Sequence, residues 1–558
     1  MKLQKLVLLF SLCCTFYATT FAQRKFAMGE VIDMELISKT PQKVRISERS
    51  FQGLPTSYSL EQYCPTPGDQ GNYGTCTAWA NGYGLATILY AKTHDLTDKT
   101  LINKYAFSPT FLYEQIKDSK DYSCQFGSSI ISALLTLIDK GDATLKTTPY
   151  KCGSTITETA KNEAVNYKIA DASFLFAAKG YSKDDAYLKS KEDAIDLTKK
   201  ALTEGSPIAV SFTLPKSFLN IKSTVWNPDS RESVIDTAWK HNKHAMCVIG
   251  YDDNKAGGAF QVLNSWGADW ADKGMIWIKY DDFVGWCNYA IQAFASPYTK
   301  VPDEKKEDPK PVPPAPPVPD PKPDPKPVPV PDPKPTPPPA PDPKPTPAPV
   351  VVSSLSGSIE FKLNNGDDMP VNRISSRNLV VEEEKSAKED LVAYTMMNSY
   401  TSGTKFRFYM NIDKEAYIYA FATDLSGKIN KILPFDDLTS THVGSNTVVA
   451  FPSDTKIIKL DDNKGTDYLM ILYSKQKLNM DEMLAAMNQT KGGLSAKIMA
   501  ALGDKLIDKK KIQYDKQKVG FSVNIKAGTR NLSVEDDDTK TEIATGSVVP
   551  LMIEIKHN

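Results

Sequence analysis

Short runs of alternating apolar residues dominate the last third of the chain. In "KFRFYMNI" Phe406, Phe408, Met410 and Ile412 alternate with other residues; in "VGFSVNI" Val519, Phe521, Val523 and Ile525 do so; in "LMIEIKH" Leu551, Ile553 and Ile555 do so. Period two over runs this short predicts half-buried strands. "AYIYAFAT" and "DYLMILYS" are almost continuously apolar, which suits inner strands covered on both faces. Between them "NMDEMLAAM" and "GLSAKIMAALGDKLI" have the spacing of short amphipathic helices. Residues 353–558 are therefore expected to form a β-rich sandwich or barrel with a small helical insert.

The pattern upstream is mixed. "TAWANGYGLATILYAKTH", directly after Cys76, has helical length and an apolar face of Trp79, Tyr83, Ala86, Leu89 and Tyr90. "AMCVIGYDD" reads as a buried strand, and "AFQVLN" and "GMIWIKY" are two strands flanking "SWGADW". An α+β domain over 54–299 is expected, separated from the C-terminal domain by 300–352, where "PDPKP" repeats. Proline fixes φ and removes the backbone donor, so this stretch is expected to be polyproline II, a semi-rigid spacer of roughly 150 Å at about 3.1 Å per residue.

Composition narrows the partners. Of 558 residues, 67 are Lys or Arg and 67 Asp or Glu, so net charge gives no reason to expect nucleic acid. "MKLQKLVLLFSLCCTFYATTFAQ" has a basic start, a short apolar run and a small residue before Gln23, the form of a signal peptide (1–22) cut after Ala22. No other segment is apolar enough to span a membrane. Export is the expectation, to the periplasm, the cell surface or the medium. Residues 23–53 then form a short N-terminal segment. Six cysteines remain: Cys64, Cys76, Cys124, Cys152, Cys247 and Cys287.

Cys76 stands where the Gly-rich loop "GDQGNYGT" enters its helix, and the positive end of a helix dipole favours a thiolate. Of the five histidines, His94 ends that same helix, and His442 and His557 lie beyond the proline-rich stretch. His241 and His244 remain, and His244 adjoins the buried strand. Asn264, at the end of "AFQVLN", is placed to hold one imidazole nitrogen while the other faces the thiol, with Trp266 shielding that bond from water. No metal-ligand spacing or cofactor motif is present; "DDNKGTD" lacks the ligand pattern of a calcium loop.

These residues resemble the papain-like cysteine peptidase family over roughly 54–295. "LPTSYSLEQYCPTPGDQGNYGTCTAW" is similar to the family's mature start. "FSPTFLYEQ", "GSSIISALLTLIDKG" and "TPYKC" are similar to its helical lobe, and "EGSPIAVSF", "KHAMCVIGYDD" and "VLNSWGADWADKGMIWIKY" to its β lobe. "GYDD" and the long insert before His244 resemble bacterial members. The resemblance implies a two-lobed fold, a helical lobe plus a β-barrel lobe. It implies Cys76 as nucleophile, His244 as base and acid, Asn264 as orienting amide and Gln70 as side-chain donor of the oxyanion hole, supported by Ser265 and Trp266. It implies substrate contacts at Gly127, Ser128, Ser129, Asn242 and Ala245, and a Cys124–Cys152 disulfide. Tyr73 stands where the family has a cysteine and Thr77 where it has a tryptophan; the substrate-binding Gly-Gly is only "GSS" here.

An exported cysteine endopeptidase acting on proteins or peptides, without cofactor, is the expectation. The same thioester would serve acyl transfer to an amine, and a binding or adhesion protein on a vestigial fold is the third reading; the complete Cys, His, Asn and Gln set argues against it. The insertion at 218–243 would be a lid, a specificity loop or a plain surface loop. Residues 23–53 are too short for the family's helical propeptide and would either lie over the cleft as a small prosegment or pack on the domain. "GTKFRFYMNIDKEAYIYAFATDLSGKINKILPF" with "GTDYLMILYS" resembles the domain of unknown function DUF4384 of bacterial exported and signalling proteins. It brings no catalytic motif, and a role in binding substrate, a partner or the cell surface is expected.

Overall fold

The computed structural model describes residues 26–181, 190–219, 221, 223–232, 242–296, 352–373, 391, 393–424, 426, 428–526 and 546–558. The expected signal peptide, nearly all of the proline-rich stretch, His241 and part of the 218–243 insertion lie outside them.

The helix expected after Cys76 runs to Thr93 as one helical stretch, with a wider i→i+5 turn over Trp79–Ala86. The helices Lys99–Lys104, Pro109–Ile116, Ile130–Asp139 and Glu158–Ala164 complete this lobe. Ser108, Ser129 and Thr157 cap three of them, each side-chain oxygen accepting a backbone N–H of the first turn.

The second lobe is built on one sheet. Its strands run Ile169–Ala177, Cys287–Ala295, Ile208–Thr213, Lys243–Asp252, Ala259–Leu263 and Met275–Lys279, with Val225–Trp226 at one end. Ile208–Thr213 and Ala259–Leu263 are buried at every position, which is why their sequences show no alternation. The helix Lys191–Thr203, with a Ser190/Asp193 capping box, covers one face.

The C-terminal region is a sandwich of two sheets. One centres on Lys405–Ile412, Val352–Leu363 and Val519–Lys526, the other on Val548–His557, Gly465–Ser474 and Ala416–Thr423. Phe406, Phe408, Met410 and Ile412 point into the core between them, as their alternation requires. The unbroken run of Ala416–Thr423 has a separate cause. Ile418 and Ala420 face that core, whereas Tyr417, Tyr419 and Phe421 face the helices Met480–Gln489 and Leu494–Leu502 on the outside.

The two regions are not merely strung together. Gln42–Lys43 pairs in parallel with Ile169–Ala177 on one side and with Thr439–Ser440 on the other, so the sheet of the second lobe continues into the C-terminal region. Val44 and Ile46 enter the sandwich core with Leu197. Ser47 Oγ donates to Asp454 Oδ1 (2.8 Å), and the Arg49 guanidinium lies over Tyr409 and pairs with Glu360. Beneath this strap, buried Lys43 Nζ reaches Glu204 Oε2 (3.1 Å) and Gln292 Oε1 (2.7 Å), while Glu204 also accepts from Lys200 and Thr447.

Candidate active site

The loop ahead of Cys76 is held in place from the facing lobe. Gln70 N–H donates to Ser265 C=O (2.9 Å) and Gly267 N–H to Gly68 C=O (2.8 Å), and Asp69 bridges to Trp266. Gly71 turns the loop at φ 63°. Tyr150 OH donates to Gln70 C=O (2.9 Å) and in turn accepts from Thr75 Oγ1 (2.7 Å), so the loop is clamped from the helical lobe as well. Cys76 follows as the first residue of the helix, fully buried.

His244 is the second residue of strand Lys243–Asp252, and Asn264 follows the adjoining strand Ala259–Leu263. Pairing of the two strands brings His244 Nε2 to 2.7 Å from Asn264 Oδ1. Ser265 N–H also donates to that oxygen (2.8 Å), which fixes which amide atom meets the ring. Nε2 therefore carries the proton and Nδ1 is left with a free lone pair; Nδ1 has no hydrogen-bond partner among the described residues. Trp266 stacks on the imidazole with ring centroids 4.7 Å apart. Ser265 Oγ donates to Gln70 Oε1 (2.6 Å), so the Gln70 amide turns its N–H₂ the other way, into the groove.

That groove is filled by the chain's own residues 26–31. Phe26 stacks on Trp266 at 4.6 Å. Ala27 C=O accepts from Gln70 Nε2 (3.1 Å) and from Trp266 Nε1 (3.2 Å). Ser128 N–H donates to Gly29 C=O (2.9 Å), Val31 N–H to Ser128 C=O (3.0 Å) and Glu30 N–H to Lys243 C=O (3.2 Å), a strand-like track between the lobes. Gly29 fits because it has no side chain: a Cβ there would stand 2.1 Å from Gly74 O. The backbone amides of Ala245 and Gly29 both stabilise negative charge on the Cys76 sulfur.

Covered in this way, the two reactive groups are dry. Burial pushes the Cys76 thiol up to about 11, against the pull of those amides, and pushes the His244 imidazole down to about 4, against its bond to Asn264. In this state both are neutral at pH 7.

The structure thus brings together Cys76, Gln70, His244, Asn264, Ser265 and Trp266, with Gly127, Ser128 and Ala245 around the occupied groove. A Cβ at Gly127 would meet Gly29 O at 2.0 Å, so the glycine makes room for the bound strand. Ser129 caps the helix that follows, its hydroxyl accepting Ile131 N–H (3.2 Å). Asn242 C=O accepts from Leu214 N–H (2.9 Å), which joins it to the sheet side of the groove. Cys124 and Cys152 are disulfide-bonded, whereas Cys64, Cys247 and Cys287 are free and buried.

Sequence reasoning missed Glu30, Ser211 and Tyr289. Glu30 is 6% exposed, and its carboxyl accepts from Ser211 Oγ (2.6 Å) and Tyr289 OH (2.7 Å). The available signal was a hydroxyl pair, Ser211 and Thr213, inside the otherwise apolar strand Ile208–Thr213.

Comparison with known proteins finds likenesses over part of the chain. Residues 399–477 match the model of a domain of unknown function, DUF4384, and residues 61–296 the model described as papain family cysteine protease. No curated protein sequence matches the chain. Among solved structures, xylellain, a cysteine protease from Xylella fastidiosa, is 20% identical over 50% of this chain and 99% of its own, with TM-score 0.37. Procathepsin B S9 from Trypanosoma congolense is 17% identical over 50% of this chain and 89% of its own, with TM-score 0.37. The bromelain protease from Ananas comosus is 20% identical over 43% of this chain and 99% of its own, with TM-score 0.33. Residues 61–296 are accordingly a papain family cysteine protease domain, followed along the chain by a DUF4384 domain.

Proposed function

We propose that the chain is an exported cysteine endopeptidase, held in a blocked state by its own residues 26–31. The observation that carries this reading is Ala27 C=O on the Gln70 amide and the Trp266 indole, where a substrate carbonyl would be polarised, with Cys76 and the His244–Asn264 pair alongside. Export rests on the signal-like run before Gln23.

With the groove free, His244 Nδ1 takes the Cys76 proton and the sulfur attacks a peptide carbonyl carbon. The carbonyl π electrons move to oxygen, and Gln70 Nε2 with the Cys76 backbone N–H stabilises the oxyanion. As the tetrahedral species collapses, the C–N bond breaks and imidazolium His244 protonates the leaving amine. Water, deprotonated by His244, then attacks the thioester; the acid leaves and the thiol is restored. Asn264 keeps the ring in the productive tautomer throughout.

The test keeps the chain at full length. Gly29→Trp cannot be accommodated against Gly74 and is expected to unseat the segment. At pH 5 a mixed fluorogenic peptide library should be hydrolysed at least about tenfold faster by Gly29→Trp than by the wild type, with all turnover lost in Gly29→Trp/Cys76→Ala. Turnover that persists in the double variant would refute the assignment of the nucleophile. Equal rates for wild type and Gly29→Trp would refute the block.

A further inference from the structure

The groove wall beside Cys76 contains a pocket whose hydrogen bonds all run in one direction. Lys243 Nζ donates to Thr213 Oγ1 (3.4 Å), and Thr213 Oγ1 donates to Asn288 Oδ1 (2.9 Å). The amide thus oriented donates through Nδ2 to Ser211 Oγ (2.9 Å). Ser211 Oγ, which accepts from Asn288, turns its own proton into the pocket, where Glu30 Oε2 receives it at 2.6 Å. Tyr289 OH supplies a second donor to Glu30 Oε1 at 2.7 Å. Ser211 and Tyr289 are fully buried, so their protons have no other destination when a side chain fills the pocket. The pocket is also next to the chemistry. Ser211 pairs with Ala245, whose amide faces the Cys76 sulfur, and Phe212 pairs with His244.

We propose that this pocket selects the substrate, and that it takes a carboxyl-bearing side chain, glutamate, from the peptide to be cut. The proposal rests on the reading of the domain as a thiol peptidase. Two fixed donors match the two oxygens of one carboxyl group. Glutamine matches one donor and can satisfy the second only if Tyr289 turns to accept. An aliphatic side chain leaves both buried hydroxyl protons without an acceptor, the situation in which a polar pocket rejects an analogue most strongly. Arginine and lysine bring further donors to a site that offers none of the acceptors they need, beside the Lys243 ammonium. Glu30 occupies the pocket as the chain's own example of the preferred guest.

Two readouts on the full-length Gly29→Trp chain decide this. In the first, run at pH 5, fluorogenic peptides are scanned at each position with Glu, Gln, Leu or Arg. One position should prefer Glu over Leu by at least about tenfold in kcat/KM, with Arg lowest, and both Ser211→Ala and Tyr289→Phe should shrink that ratio. Hydrolysis with no Glu preference at any position, or a preference that both variants leave intact, would overturn the proposal. In the second, the peptide FAMGEV and its Glu→Leu and Glu→Arg analogues are bound at pH 5 to Gly29→Trp/Cys76→Ala, followed by fluorescence anisotropy. The Glu peptide should bind at least about tenfold tighter, and equal binding would overturn the proposal. If no peptide is hydrolysed yet FAMGEV binds with that selectivity, the peptidase reading fails while the chemistry of the pocket stands.

Discussion

At the scale of single residues, Glu30 couples the block to pH. Burial raises its carboxyl from 4.5 to about 7; the bonds from Ser211 and Tyr289 and the charge of Lys243 oppose the rise without cancelling it. The other titratable groups facing it are the thiols of Cys76 and Cys287, both pushed up by burial. Because the docked pKa lies above the free one, protonation favours docking. The advantage is full below about 4.5 and is lost as pH rises through about 7, an effect on the order of 3 kcal/mol. The wild-type chain is therefore expected to be tightly blocked near pH 5 and to open toward pH 8. Glu30→Gln should flatten this dependence, which stopped-time hydrolysis assays across that range would show. An unchanged profile in Glu30→Gln would remove Glu30 as the titrating group. The candidate site was legible in the sequence because Gln70 with Cys76, and Asn264 with Trp266, form short local motifs. Glu30 was not, because its role depends on Ser211 and Tyr289, two strands far along the chain.

At the scale of elements, residues 26–51 do two jobs. Residues 26–31 fill the groove, and residues 42–51 hold the C-terminal region against the peptidase lobes. The second job depends on a buried charge cluster. Burial alone would raise Glu204, but Lys43 and Lys200 hold it at about 2; burial in turn lowers Lys43. Glu204 therefore stays ionised across ordinary pH, and its contribution to stability is lost only as pH falls from about 4.5 through about 2. Removing one member of such a cluster strands the other charge in the interior. Lys43→Ala is expected to cost about 3–5 kcal/mol, visible as a lowered midpoint in urea unfolding. A shift below about 0.5 kcal/mol would mean that the surrounding groups compensate. Little of this was visible in "QKVRIS": Val44 and Ile46 do alternate with Lys43 and Arg45, but two periods are too few to distinguish a strand from a loop.

At the scale of the whole molecule, the chain is joined across its two regions by contacts that the sequence did not announce. Alternation revealed those strands of the sandwich that bury one face in its core, Lys405–Ile412 and Val519–Lys526 among them. It was silent on docking, because the docking surface is made of residues that serve other elements too: Phe294 of the peptidase sheet stacks on His442 at 3.9 Å, and Tyr417 stacks on the same ring at 4.1 Å. If strand pairing and the Lys43 cluster hold the regions together, the covalent link between them is dispensable for association. A chain with a specific protease site engineered between residues 300 and 350, once cut, should still elute as one species at neutral pH. Separation of the fragments at micromolar concentration would show that the interface is too weak to stand without the link.

The most direct measurement is the rate at which a thiol-selective epoxide alkylates the full-length chain, with the modified residue identified by mass spectrometry. Gly29→Trp should be labelled stoichiometrically and at Cys76 alone, the wild type at least about tenfold more slowly at pH 5, and Gly29→Trp/Cys76→Ala not at all. Equal rates in wild type and Gly29→Trp, or labelling spread over Cys64, Cys247 and Cys287, would contradict a self-blocked cysteine peptidase centred on Cys76.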